Sequence, residues 1–256
     1  MKTKSNKFRL LCLTLLLLIG ASGLHAQVDY LCFTADEAGY VRLSVTGNIT
    51  ANIQTCTDGV NWTAYTFGTD INLAAGDSVY FKGNYQGIDN ANYAGFVMSG
   101  KIRASGNIMT LTDGNNPTLS LAGKDYCFYR LFYNCQALIS APVLPAATLA
   151  PSCYRSMFEG CTGITLYEDG TGPTWGIPAG AQAVSDWNTD MLAGTGGTFT
   201  GNPVIGTDYY YTPLPASVDV TINGIELYES GSSGEGWTYV LPTLTLTNAG
   251  PFTISG

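Results

Sequence analysis

Residues 28–104 carry short runs in which apolar and polar positions alternate. Val41, Leu43 and Val45 stand against Arg42, Ser44 and Thr46, and Ile49, Ala51 and Ile53 against Thr50, Asn52 and Gln54. A period of two puts one face on a core and the other in water, which predicts strands. Turn signals at Asp58-Gly59, Ala75-Gly76-Asp77 and Gly83-Asn84 separate them. The pattern predicts an antiparallel β-sandwich of about six to eight strands over residues 27–105. Alternation returns after Thr212. Val218, Val220 and Ile222, then Asn223-Gly224, then Ile225 and Leu227 read as a hairpin whose two-residue turn suits Asn-Gly. Leu244 and Leu246 alternate with threonines, and Phe252 and Ile254 follow. Residues 206–256 are therefore predicted to form a C-terminal β-rich module.

Between these segments the period changes. Residues 125–135 overlay 151–161, placing Cys127, Leu131, Phe132 and Cys135 on Cys153, Met157, Phe158 and Cys161, an offset of 153 − 127 = 26. Trp187, Met191 and Leu192 form a third, worn copy at an offset of 34 (187 − 153), with an insertion expected near Tyr167 to Trp175. The i, i+4, i+8 spacing of Cys127, Leu131 and Cys135 predicts an amphipathic helical turn or two. Ala141-Pro142 and Leu144-Pro145 then force extended backbone. Each copy reads as short helix, short strand and proline-marked return. A repeat of this size cannot bury its own apolar face, so copies are expected to stack over residues 106–205. The eleven residues just named, from Cys127 to Leu192, are the expected repeat core.

The pattern Cys-Tyr-x-x-Met-Phe-x-Gly-Cys-Thr at residues 153–162, with Ala-Pro-x-Leu-Pro-Ala-x-Thr-Leu at 141–149 between copies, resembles the BspA-like leucine-rich repeats of bacterial surface proteins. The likeness is close over 125–165 and loose over 106–124 and 166–205. It implies a curved solenoid on an exported protein, of a kind often linked to adhesion or host contact and for which catalysis is not the usual role.

Export is also expected from the first residues. Lys2, Lys4, Lys7 and Arg9 precede an apolar run at 10–19, and Ala26 suits the position before a signal-peptidase cut. The run is too short for a membrane span, which needs about 20 residues. No later segment approaches that length. Cys12 inside the run and Leu31 before Cys32 speak against a lipid anchor, so a secreted or cell-surface product that is not a lipoprotein is expected. Cleavage would remove four of the 11 Lys+Arg and none of the 19 Asp+Glu, taking the balance to 7 − 19 = −12. Such a surface repels phosphate backbones, and nucleic-acid binding is not expected. His25, the single histidine, would leave with the leader, which excludes His-dependent catalysis and His-ligated zinc.

Six cysteines would remain, at 32, 56, 127, 135, 153 and 161. Eight helical residues span roughly 12 Å, too far for a bridge within a copy. Bridges between copies are geometrically open, but a ladder of buried thiols is the preferred reading. Cys32 and Cys56 are a possible disulfide across two strands.

Candidate chemistry is sparse. Glu226 and Glu229 would point to opposite faces of one strand, and Asp186 and Asp190 read as capping residues at a helix start. The loops at Asp89-Asn90-Ala91-Asn92 and Glu168-Asp169-Gly170 lack calcium-loop spacing. Trp62 is expected to be core. Tyr129, Tyr154 and Trp175 are possible ligand-facing aromatics, though stacking core is the preferred role for repeated aromatics. The expected fold is therefore mainly β with short helices: N-terminal sandwich, short solenoid and C-terminal β module. The expected function is non-enzymatic binding of a host or bacterial surface protein or glycan, with no cofactor and no metal. One alternative is a carbohydrate-binding module using Trp175, Trp187 or Trp237. A second is a carboxylate-based glycoside hydrolase.

Overall fold

The computed structural model describes residues 29–84 and 88–214 in full, and beyond them only the backbone of five short strands. The expected leader (1–26, with Cys12 and His25), the Asn223-Gly224 turn, the side chain of Trp237, and Phe252 and Ile254 lie outside the described residues. The chain is mainly β, in several sheets of which none is closed. Among the described residues no helix is long and apolar enough to cross a membrane.

Strands β1 (Leu31–Glu37), β3 (Ile53–Cys56), β4 (Thr63–Ala64), β6 (Ser78–Gly83), β8 (Lys101–Ser105) and β9 (Leu138–Ser140) form a sheet in the order β4-β3-β6-β1-β8-β9. A second sheet has the order β5-β2-β7, from β5 (Ile71–Leu73), β2 (Gly39–Thr46) and β7 (Tyr93–Met98). Their inner faces meet through aromatic rings. Phe33 of β1 and Phe81 of β6 lie 4.7 and 5.2 Å, centroid to centroid, from Phe96 of β7. The alternation of Val41 and Leu43 with Arg42 and Ser44 follows from this arrangement, since the first pair is fully buried and the second is not.

The repeat segments are not helical. Among the described residues the one α-helix is α1 (Thr110–Asp113), and the expected helix over Cys127–Cys135 is instead a ribbon of overlapping turns. The N–H groups of Cys127, Tyr129, Leu131, Tyr133 and Cys135 each bond the carbonyl three residues back. Those of Tyr126, Phe128, Arg130, Phe132 and Asn134 bond outward, to the carbonyls of Pro151, Cys153, Arg155, Met157 and Glu159. In the next copy Tyr154, Ser156, Phe158 and Gly160 do the same to Trp187, Thr189, Met191 and Ala193. The geometry is made possible by a positive φ at every fourth residue: Tyr126, Arg130 and Asn134, then Ser152, Ser156 and Gly160, then Asp186, Asp190 and Gly194. An α-helix would satisfy these N–H groups internally and leave none for a neighbour. Asp186 and Asp190 are thus not helix caps. They hold left-handed positions, which a short polar side chain tolerates better than most.

The ladder continues into the N-terminal sheets. Phe96 N–H of β7 donates to the Leu131 carbonyl, just as Phe132 and Phe158 donate to Met157 and Met191. The rings follow the same course: Phe96, Phe132 and Phe158 stack with centroids 5.3 Å apart at each step and planes within 12°. That step is close to the spacing of hydrogen-bonded strands. On the other side, β8 pairs in parallel with β9, Ile102 opposite Leu138. Further along, β10 (Thr165–Leu166) pairs in parallel with β12 (Gly196–Gly197). Ser120, Thr148 and Gln182 link the return segments. One hydrophobic cluster consequently runs from Leu31 to Tyr209.

The insertion that lengthens the second offset by eight (34 − 26) contains the seven-residue β11 (Gly170–Gly176), which pairs antiparallel with β13 (Asp208–Pro213), Trp175 opposite Tyr209. The third copy is closed by the segment before β13. Asn188 Nδ2 donates to the Pro203 carbonyl and Asn202 Oδ1 accepts from Met191 N–H. Beyond it, β14 (Val220–Ile222) pairs with β15 (Ile225–Leu227) with Ile222 opposite Ile225, and β16 (Ser233–Gly234), β17 (Trp237–Val240) and β18 (Thr243–Leu246) form a small sheet. Replacing Phe158 with Ala removes the ring between Phe132 and the edge of Trp175. Urea denaturation should show a loss of about 3–5 kcal/mol, and an unchanged midpoint would contradict the stacked core.

Candidate functional site

Cys127, Leu131, Phe132, Cys135, Cys153, Met157, Phe158, Cys161, Trp187, Met191 and Leu192 are all buried in the common cluster. Three of the thiols also bond carbonyls of a neighbouring layer: Cys135 Sγ donates to the Phe96 carbonyl at 2.9 Å, Cys161 Sγ to the Phe132 carbonyl at 2.8 Å and Cys153 Sγ to the Trp187 carbonyl at 3.9 Å. Cys127 lies against Cys153, and Cys135 against Cys161. Burial pushes the thiols of Cys153 and Cys161 up to about 12. They are neutral, apolar fillers rather than nucleophiles. Cys32 and Cys56 are buried free thiols as well. Both pair in register with Tyr80 of β6, one from each side, so two strand spacings, roughly 10 Å, separate them. A disulfide needs Cα atoms within about 7 Å, and the possible 32–56 bridge does not fit this register.

The three possible ligand-facing aromatics are turned inward. Tyr154 stands in the column beside Phe128 and Trp187 and is fully buried, its hydroxyl without a partner among the described residues. Trp175 is buried and its Nε1 donates to the Pro142 carbonyl. Tyr129 is buried edge-on against Tyr93 and Tyr126, with the Arg130 guanidinium 5.2 Å from its ring. Each copy needs these rings to cover its neighbour, which leaves them no face for a ligand. Trp187 is buried for the same reason.

Two acidic loops close on themselves. Asp58 accepts the N–H groups of Val60 and Asn61 and the Asn61 amide, which hold its carboxyl at about 2. Asp89 binds Ala91 and Asn92 in the same way. Both are solvated turns.

Another region gathers polar groups around a cavity of about 580 Å³, walled by Asn52, Gln54, Lys82, Asn84, Asp113 and Asn115. Gln54 and Lys82 are cross-strand partners on the outer face of β3 and β6. Lys82 is buried, and its Nζ lies 4.0 Å from the centroid of the Trp62 ring and 5.5 Å from that of Tyr30. Asn115 Oδ1 accepts from Lys82 Nζ at 2.8 Å and from the Tyr30 hydroxyl at 2.9 Å. Two donors fill that oxygen and fix the amide's orientation, which leaves the Nδ2 hydrogens as the side chain's donors. Desolvation lowers the affinity of Lys82 for its proton. Trp62 is therefore half-buried as a wall for a cation rather than core.

Asn115 reaches this position because α1 is pinned to both strands beneath it. Thr110 Oγ1 accepts from Leu31 N–H and lies in donor range of the Asn107 and Phe81 carbonyls. Gly114, at φ 59°, then turns the chain. Asp113 also lines the cavity but is engaged by Lys124 Nζ at 2.6 Å and the Thr118 hydroxyl at 2.7 Å. Arg42, Lys101 and Arg103 likewise pair with carboxylates. Among the described residues Lys82, Arg130 and Arg155 form no ion pair, and of these only Lys82 lines the cavity. Sequence reading missed the site because its residues come from β3, β6 and the loop after α1. The one available signal was a lysine, Lys82, at the end of a buried strand pattern.

No protein-family model, curated protein or solved structure matches the chain.

Two outcomes follow. Thiols that ionise less readily in the folded chain than in the unfolded one stabilise the fold while both states are protonated. As pH rises above 9.0 the unfolded chain ionises first, so urea midpoints should fall progressively between 9.0 and about 12. The fall should be shallower in a Cys153→Ala, Cys161→Ala double variant. Thr110→Val leaves Leu31 N–H buried without its acceptor, and should cost about 1–3 kcal/mol in denaturation.

Proposed function

We propose that this chain is an exported, non-enzymatic binding protein: an N-terminal β-sandwich (27–105), a short BspA-like leucine-rich-repeat solenoid (106–205) and a C-terminal β module (206–256). The observation that carries the reading is the one-directional ladder, in which alternate N–H groups of each copy bond the next copy's carbonyls and the rings of residues 96, 132 and 158 stack in step. A ladder of this kind is extensible and rigid, and three of its left-handed positions, Asn134, Asp186 and Asp190, are exposed while Ser152 and Ser156 are buried. Rigid repeat surfaces suit recognition of large partners, because little ordering entropy is lost on contact. The leader-like first 26 residues support export, and export would bring the surface into contact with host or bacterial proteins and glycans.

The carbohydrate-binding alternative loses support in its first form, because Trp175 and Trp187 are buried; Trp237 lies outside the described side chains. Among the described residues Asp113 is engaged by Lys124, and Asp186 and Asp190 serve as turn residues, so these three carboxylates lend the hydrolase alternative no support.

Residues 27–256, immobilised and challenged with surface glycoproteins and a protein array, should retain a partner through the repeat surface. An Arg130→Ala, Arg155→Ala variant, compared at equal folded fraction because Arg130 also packs on the Tyr129 and Tyr133 rings, should weaken the capture. Absence of any saturable partner, or turnover of a polysaccharide abolished by one Asp or Glu substitution, would overturn the reading.

A further inference from the structure

We propose that the cavity beside Lys82 binds the carboxylate of an acidic sugar residue. The volume, about 580 Å³, lies within the range of small-ligand sites. At one end stands Lys82 Nζ, held by its bond to Asn115 Oδ1 at 2.8 Å. The ammonium has three donors and Oδ1 takes one, so two N–H groups are left for a charged acceptor with two oxygens. Among the described residues no carboxylate pairs with Lys82: Asp113, the acidic group of the cavity, is closed by Lys124 and Thr118.

The remaining wall fits hydroxyl groups. Asn52, Gln54 and Asn84 present side-chain amides, each able to donate and to accept, as a ring of hydroxyls requires. Asn52 and Asn84 also meet each other at the rim, where Asn52 N–H donates to Asn84 Oδ1. Charge selects the anion. A single ammonium matches a monoanion, and the acidic chain, at −8 overall, disfavours phosphate polyanions. The Trp62 and Tyr30 rings lie 4.0 and 5.5 Å from the ammonium, and the water they displace leaves its charge less screened.

This site does not rest on the adhesion reading. A macromolecular partner could be lost with sugar-acid binding intact, and the reverse is equally observable. Isothermal calorimetry on the full chain would use glucuronate, its methyl glycoside, glucose and acetate. Glucuronate should bind saturably at millimolar concentrations or below, and glucose and acetate at least about tenfold more weakly. Equal binding of the methyl glycoside marks a glycan-borne residue as the target, and its exclusion marks the free sugar acid. Lys82→Met keeps the apolar stem beneath Trp62 and should reduce glucuronate affinity by roughly tenfold or more. Gln54→Ala, at an exposed position, should weaken binding several-fold with an unchanged denaturation midpoint, and it decides the matter if Lys82→Met does not fold. A flat titration, glucose or acetate binding as well as glucuronate, or full affinity in a folded Lys82→Met variant would overturn the proposal and leave Lys82 as a latch for Asn115.

Discussion

A backbone amide that points along the stacking direction must find a carbonyl on the next copy, because the copies pack too closely for water to serve it. Every second N–H of the repeat meets that condition, and the others close turns within their own copy. The division requires φ > 0 at each fourth residue, a conformation that costs a non-glycine residue on the order of 1 kcal/mol. Tyr126, Arg130 and Ser152 adopt it nonetheless. The cost is offset because each such residue turns two neighbouring amides into opposite and fully satisfied directions.

From that constraint the rest follows. Residues four apart face the same way, so Cys127, Leu131 and Cys135 share one buried edge with Cys153, Met157 and Cys161. Small thiols fit where a larger side chain would separate the copies, and Cys135 and Cys161 also donate to carbonyls of the preceding layer. The first copy has no repeat before it. Strand β7 takes that place, with Phe96 supplying the N–H, the carbonyl and the ring that Phe132 supplies to the second copy. The N-terminal sheets and the repeats therefore share one core, and the polar cavity at Lys82 lies on the outer side of the sheet that helps to seed it.

The repeat was legible because stacking demands like residues at like positions. The expected helix was not borne out, and the reason lies in the spacing. An α-helix drifts by about 40° over four residues at 3.6 per turn, so its buried face would recruit i+3 and i+7 positions as well. Here Cys127, Leu131 and Cys135 keep a strict interval of four, as do Trp187, Met191 and Thr195, with Ser, Asn, Asp or Gly recurring before many of them. The interval and the polar residues beside it were the available sign of a turn ribbon. Tyr129, Tyr154 and Trp175 could not be placed by composition, because an aromatic ring serves a ligand face and a core equally well until its neighbours are known.

By itself the sequence determined the alternation that buries Val41 and Leu43, though not Val45, which the strand's end leaves exposed, and it determined the two cysteine-bearing copies and their interval, since these record which side chains must be buried together. Tertiary structure alone decided that β7 stands in for a missing copy, that Tyr80 separates Cys32 from Cys56, and that Asn115 meets Lys82 beneath Trp62. Such relations depend on register between strands far apart in the chain. A local pattern fixes which face of a strand is buried, but the neighbour opposite each residue is set only when the sheets assemble.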